Sequence, residues 1–305
     1  MKIGARVLIG LGVFLVVLGI LAVTYAPGAL KKTPIDVNTV TQLEGQGARL
    51  GSPGEQVVAY SLSRVDADAS SSDTAVFRAD TCVVVGTEPI EPPCPDPATD
   101  DDVFTVGAPD YFATDRTTAE SVEDDALPAD AVPHEGVVNK WPFDAQQKSY
   151  PYWDGVLGRA VEAEFDRTED VGGIEANVYR VTIEDEPAVI SPATDSSAAI
   201  EGTYSDLKET FVDPGTGAIL DQTDNQQRRL DNGDLAVDLN LAFTDDQVAA
   251  NVEDAKANNA SLDVVLKVVP LVGFIGGILA ILAGVLLLRR ASRRGTHRDE
   301  DVATA

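Results

Sequence analysis

Side chains able to do chemistry are concentrated in one short stretch of this 305-residue chain. The sequence reads HEGVVNKWPFD over 134–144 and YPYWD over 150–154, so both tryptophans, Trp141 and Trp153, and two of the seven tyrosines, Tyr150 and Tyr152, fall within thirteen residues. Rings of this type offer a large apolar face with a polar handle, which suits a sugar or a lipid. Trp141, Tyr150, Tyr152, Trp153 and His134 are therefore the candidate ligand-binding residues. The competing reading uses the same rings as the core of a strand pair joined by a loop, and the residues alone leave both readings open.

Catalysis has less to work with. Beyond the tail histidine, His134 is the chain's one imidazole, no serine stands in a Gly-x-Ser-x-Gly setting, and no Gly-x-x-x-x-Gly-Lys loop is present. Fifty acidic residues place carboxylate pairs at every spacing, so a glycosidase pairing carries no signal. Two cysteines and two histidines exclude zinc ribbons and iron–sulfur sites, and the acidic run 100–102 lacks calcium-loop spacing. No catalytic residue, cofactor or metal site is assigned. A net charge of -27 argues against a nucleic-acid partner, because phosphate binding is driven by Lys and Arg releasing counterions.

The elements that must position these residues are mostly strands. Period-two alternation runs through 56–65, 74–85, 160–165 and 177–183, rich in Val, Ile, Tyr or Phe. Hairpin signals recur at Gly172-Gly173, at DPGTG over 213–217 and at DNGD over 231–234. The predicted fold class is mainly β, an antiparallel curved or barrel-like domain over 33–243, with residues 95–135 as long loops. The period changes at Thr244, where TDDQ has capping-box spacing, and a helical stalk follows over 244–263. Ser261 and Asp263 are expected to cap the next helix.

Apolar runs bracket this domain. Residues 7–26 and 264–288 are each long enough to cross a hydrocarbon layer of about 30 Å. For the first run, a cleaved signal peptide is the competing reading. Arg289, Arg290, Arg293, Arg294 and Arg298 follow the second, which marks a cytoplasmic tail over 289–305 and, with two spans, a cytoplasmic N-terminus over 1–6. Residues 33–263 then lie outside the plasma membrane, with 47 acidic and 13 basic side chains. Cys82 and Cys94 fall in that oxidising compartment and are expected to form a disulfide; a free-thiol pair is the alternative. Gly273, Gly276, Gly277 and Gly284 could admit a neighbouring helix, in the same chain or in a homo-oligomer.

The segments 134–144 and 150–154, the stretch ETFVDPGTGAIL over 209–220 and the two-ended anchoring resemble, in order along nearly the whole chain, an actinobacterial membrane family once catalogued as a domain of unknown function and labelled porin PorA. The resemblance implies a cell-envelope protein of high-GC Gram-positive bacteria, and at least one relative is connected to maturation of mannose-containing lipoglycans. The first expectation is a non-enzymatic domain that binds or hands on a lipid or lipid-linked glycan, with membrane lipids or lipoglycan precursors as partners. The rivals are a pore subunit and a ligand-free scaffold for envelope glycosyltransferases.

Overall fold

The computed structural model describes residues 2–36, 38–97, 99–191 and 198–300. Residues 301–305 of the expected tail lie outside these. The chain divides into two compact units, 1–31 with 257–305, and 32–256.

The first unit is helical. Helix α1 spans Lys2–Thr24, a short α2 spans Ala26–Leu30 with Pro27 in its first turn, and α4 spans Val269–Glu300. Among the described residues, α1 and α4 contribute the two apolar stretches long enough to cross a membrane. The glycines of α4 lie against the backbone of α1. A Cβ on Gly277 would stand 2.7 Å from the Gly12 carbonyl oxygen, one on Gly273 2.7 Å from that of Leu15, and one on Gly284 2.8 Å from that of Ala5. Only glycine permits such an approach, which replaces the missing hydrophobic drive between helices in lipid with close packing. Gly276 is looser, with Leu15 Cδ1 at 3.8 Å.

Helix α3, Asp245–Asp263, precedes α4 and covers the stretch expected as a helical stalk. The predicted caps at Ser261 and Asp263 are not formed. Ser261 Oγ donates back to the Ala257 carbonyl, Asp263 pairs with Lys267 at 2.6 Å, and a π turn over Val264–Val268 carries the helix onward. Pro270 supplies the reason: it has no N–H to donate to the preceding turn, and a wider turn absorbs that gap without ending the helix.

The second unit is built on β1 (Asn38–Arg49), β2 (Glu55–Asp66), β3 (Thr74–Val85), β4 (Val103–Val106), β5 (Asp110–Asp115), β6 (Ser121–Val122), β7 (Tyr150–Asp154), β8 (Arg159–Val171), β9 (Ile174–Ser191), β10 (Ile200–Val212), β11 (Ile219–Leu230) and β12 (Leu235–Phe243). They form one curved antiparallel sheet in the order β6-β5-β3-β2-β1-β12-β11-β10-β9-β8-β7, with β4 beside β3. All three predicted hairpins form. Gly172 and Gly173 take φ of +59° and +87°, values open to glycine at little cost, and Gly217 and Gly233 do the same in the other two turns. The expected loop region 95–135 is corrected in part, because β4, β5 and β6 lie inside it. Short strands among Asp, Pro and Ala leave too few alternating positions to read.

The two edges of the sheet meet across a strap. Ser121 N–H donates to the Gly136 carbonyl at 2.8 Å, Val137 N–H to that of Pro151 at 2.8 Å, and Trp153 N–H to that of Val137 at 2.9 Å. Backbone pairing thus returns on itself through Gly136 and Val137 and satisfies both edges. Gly136 has φ +74°, and a Cβ there would stand 2.2 Å from the Pro151 carbonyl oxygen.

Strand alternation sorts the side chains into two faces. The inner face carries Leu43, Val57, Ala59, Val83, Leu239 and Leu241 on one side and Tyr150, Ala163, Tyr179, Val181, Ile183 and Tyr204 on the other. The opposite face is polar and exposed over much of its extent, as at Glu44, Glu162, Glu164, Thr182, Glu184, Glu201 and Asn240. Where that outer face is apolar it is covered. Val252 and Ala255 of α3 pack on Ala176, Val178, Phe211 and Leu220, and the loop closed by the Cys82–Cys94 disulfide covers Val58, Tyr60 and Leu62.

Candidate functional site

Every third or fourth residue of the aromatic stretch is drawn into packing. Trp141 is 1% exposed and lies between Tyr179, at 5.2 Å between ring centroids, and Tyr152, at 5.7 Å. Tyr150 meets Tyr179 edge-on at 5.6 Å, and its hydroxyl accepts from Gln146 N–H at 2.9 Å. These rings share one face of β7 because 150 and 152 are two apart, whereas Trp153 points the other way. Trp153 stacks on His134 at 4.2 Å, and His134 on Phe112 at 5.3 Å. The five predicted residues therefore form two groups, Trp141 with Tyr150 and Tyr152, and His134 with Trp153.

The sequence stretches quoted above also come together. Trp141 N–H donates to the Gly217 carbonyl and Ala145 N–H to that of Pro214, both at 2.9 Å, so segment 140–145 lies on the turn 213–217. Asp213 Oδ2 holds that turn by accepting from Thr216 N–H at 3.0 Å and Thr216 Oγ at 2.6 Å. Gly217 has φ +73°, and a Cβ there would stand 2.0 Å from the Trp141 carbonyl oxygen. Lys140 Nζ donates to the carbonyls of Thr216 and Trp141 and lies 3.9 Å from the centre of the Phe143 ring. Burial brings its ammonium down to about 7, partly opposed by Asp213.

A second cluster was not foreseen. On the inner face, β10 presents Tyr204, Asp206, Lys208 and Thr210, and β11 presents Gln222, Asp224, Gln226 and Arg228, with Lys208 directly opposite Asp224. Lys208 Nζ is 3.0 Å from Asp224 Oδ2, 3.7 Å from Asp206 Oδ2 and 5.4 Å from the centre of the Tyr152 ring. Tyr204 donates its hydroxyl to Asp154 Oδ2 at 3.2 Å, while Asp154 Oδ1 accepts from the amides of Val156 and Leu157 in the β7–β8 turn. Tyr152 thus joins the aromatic group to a charged seam.

The electrostatics follow from burial. Asp206 is fully buried, and among the described residues neither of its carboxylate oxygens has a hydrogen-bond donor within reach. Desolvation pushes its carboxyl up to about 7; Lys208 opposes the rise, and the nearby carboxylates of Asp224 and Asp154 reinforce it. For Lys208, burial works against the charge, yet Asp224 and Asp206 outweigh it and hold the ammonium well above its ordinary range. Burial first, and the surrounding carboxylates next, raise the phenols of Tyr152 and Tyr204, the ammonium of Lys208 opposing them. The seam thus sets one ammonium beside a buried carboxyl raised to about 7, next to two neutral phenols. The seam places charged side chains beside an aromatic face inside an otherwise apolar interior.

The sequence held one signal for this seam. Between 204 and 210 and between 222 and 228, polar residues occupy both parities, so neither face of β10 or β11 is apolar and one polar face has to lie inside. A groove of about 620 Å³ lies elsewhere, bounded by Gly172, Val248, Val252 and Lys256 on the outer side of the sheet.

Comparison with known proteins gives one family. The profile described as Porin PorA matches residues 4–286. No curated protein matches the chain.

Proposed function

Because this chain belongs to the Porin PorA family, we propose that it is an envelope membrane protein held by two helices, whose β unit works in water outside the plasma membrane as a binding module for a lipid-linked glycan. The observation that carries this reading is the outer face of the sheet. A barrel that crosses lipid turns an apolar band outward, whereas here Glu44, Glu162, Glu164, Glu184 and Glu201 stand exposed on it. Within the stretches 7–23 and 269–288 the helices carry no charged or amide side chain. What is left to act is the interior of the β unit, where Tyr152, Lys208, Asp206 and Asp224 combine aromatic surface with charge.

The two-span arrangement sets the rest. The arginines at 289–298 support a reading with both termini in the cytoplasm, in which double anchoring would keep the β unit within reach of lipids. Transfer of the ligand to envelope glycosyltransferases would need no chemistry from this chain. The test is native mass spectrometry and solvent extraction of the full chain purified in detergent. A copurifying glycolipid that is lost in Lys208→Met supports the reading. A chain free of lipid that opens discrete conductances in a planar bilayer overturns it in favour of a pore.

A further inference from the structure

The strap that joins the two edges of the sheet is pinned by one ionisable side chain. His134 lies three residues before Val137 and its side chain is 2% exposed. Its Nε2 stands 3.0 Å from Asp110 Oδ2, on β5 beside the edge strand β6, and its Nδ1 stands 2.8 Å from the Val132 carbonyl oxygen. The ring also lies between Phe112, again on β5, and Trp153, on the edge strand β7, tilted by 34° to each. His134 therefore bridges β5 and β7, alongside the backbone bonds of Gly136 and Val137.

Both partners of the ring nitrogens are acceptors. A carbonyl has no proton to give and an ionised carboxylate has none, so both bonds form together only when both ring nitrogens carry protons. The neutral ring has a single N–H and must release one partner. The charged side chains on the neighbouring elements are Glu120 and Glu135 on the strap side, Arg78 and Asp80 on β3, and Asp154 after Trp153. On β3, Ala79 is opposite Asp110, and Arg78 pairs with Asp80 at 2.9 Å. Next to Trp153, Asp154 holds its own turn and Tyr204. Among the described residues, Asp110 is the charged side chain that meets the ring.

We propose that His134 is a pH-sensitive latch: its doubly protonated ring locks the strap across the two edges of the sheet, and loss of a proton frees the strap to open. The inference does not depend on what the β unit binds.

Amide hydrogen exchange of the full chain in detergent reads the latch directly. The Val137 and Trp153 amides close the seam, and after correction for intrinsic rates their protection is expected to fall about tenfold from pH 5 to pH 8 as one charge-assisted bond is lost. Amides of β1 and β12, far along the sheet order, should keep theirs. In His134→Gln the difference between the two pH values should vanish. Asp110→Asn, whose amide can accept from or donate to Nε2, should shrink the difference between the two pH values. Because protonated imidazole quenches an indole in contact with it, Trp153 fluorescence in a Trp141→Phe background should brighten over the same range. Equal protection of Val137 and Trp153 at both pH values overturns the proposal, as does a pH response that persists unchanged in His134→Gln. Loss of the response in Asp206→Asn, with His134 intact, also overturns it by moving the cause to the seam.

Discussion

Replacing Asp206 by Asn should stabilise the protein at pH 8 and leave it nearly unchanged at pH 4. Asp206 is buried with no donor within reach of either oxygen, and desolvation raises its carboxyl from the ordinary 3.8 to about 7. At about 1.36 kcal/mol per pH unit, that rise corresponds to about 4 kcal/mol of penalty on the charged form. A carboxyl that binds its proton more tightly folded than unfolded contributes most below the unfolded value. Its contribution is complete below about pH 3.8, falls as the pH climbs towards 7, and is gone above that. Asn has the same shape, stays neutral throughout and leaves Lys208 its 3.0 Å partner Asp224. Thermal unfolding of the full chain in detergent, followed by near-ultraviolet dichroism at half-unit steps from pH 4 to pH 8, checks this. The wild type should lose stability across that range with a slope that Asp206→Asn lacks, and the variant should melt higher at pH 8. A variant that melts lower than the wild type at pH 8, or that keeps the full slope, would show that Asp206 is charged and satisfied, and the account of the seam would be wrong.

Other perturbations separate the parts of the structure. Lys208→Met leaves Asp224 and Asp206 buried without their ammonium, and should cost about 3–5 kcal/mol at pH 8 in the same unfolding assay. Gly217→Ala places a Cβ 2.0 Å from the Trp141 carbonyl oxygen at a φ of +73°, so it should strip segment 140–145 from its turn and lower the melting temperature more than Gly233→Ala, whose Cβ meets open space. Gly277→Leu should separate α1 from α4, read as loss of a cysteine cross-link engineered between the two helices, whereas Gly276→Leu should be milder because only Leu15 Cδ1 lies near it, at 3.8 Å. Reducing the Cys82–Cys94 bond should cost about 3 kcal/mol, since it frees a loop of twelve positions that covers part of the sheet.

Legibility from sequence follows how local each signal is. The hairpins at 172–173, 213–217 and 231–234 were plain, because a left-handed turn needs glycine in a place that no distant contact can supply. The apolar helices were equally plain, since length and composition decide them. The aromatic stretch was visible but its arrangement was not: one strand, Tyr150–Asp154, sends Tyr152 into the seam and Trp153 onto His134, and which face turns inward depends on closure of a sheet whose edges are far apart in sequence. Closure itself rests on two backbone groups, Gly136 and Val137, in a segment with no strand pattern. The charged seam was hidden for a related reason. Asp206, Lys208 and Asp224 read as members of wet strand faces until the register of β10 and β11 puts them on the inside. The caps expected at Ser261 and Asp263 were overridden by the continuous helix, in which local hydrogen bonding favours a π turn around Pro270 over a break.

The account turns on a sheet whose outer face meets water on the far side of the membrane. Glu164→Cys places a single reactive thiol on that face, because Cys82 and Cys94, the chain's only cysteines, are bonded to each other. Intact cells treated with a membrane-impermeant maleimide should label this position at once and fully. A thiol that reacts only after the cells are opened would put the sheet in the cytosol, and one that stays unreactive even in opened membranes would bury it in lipid; either result contradicts the tethered binding module.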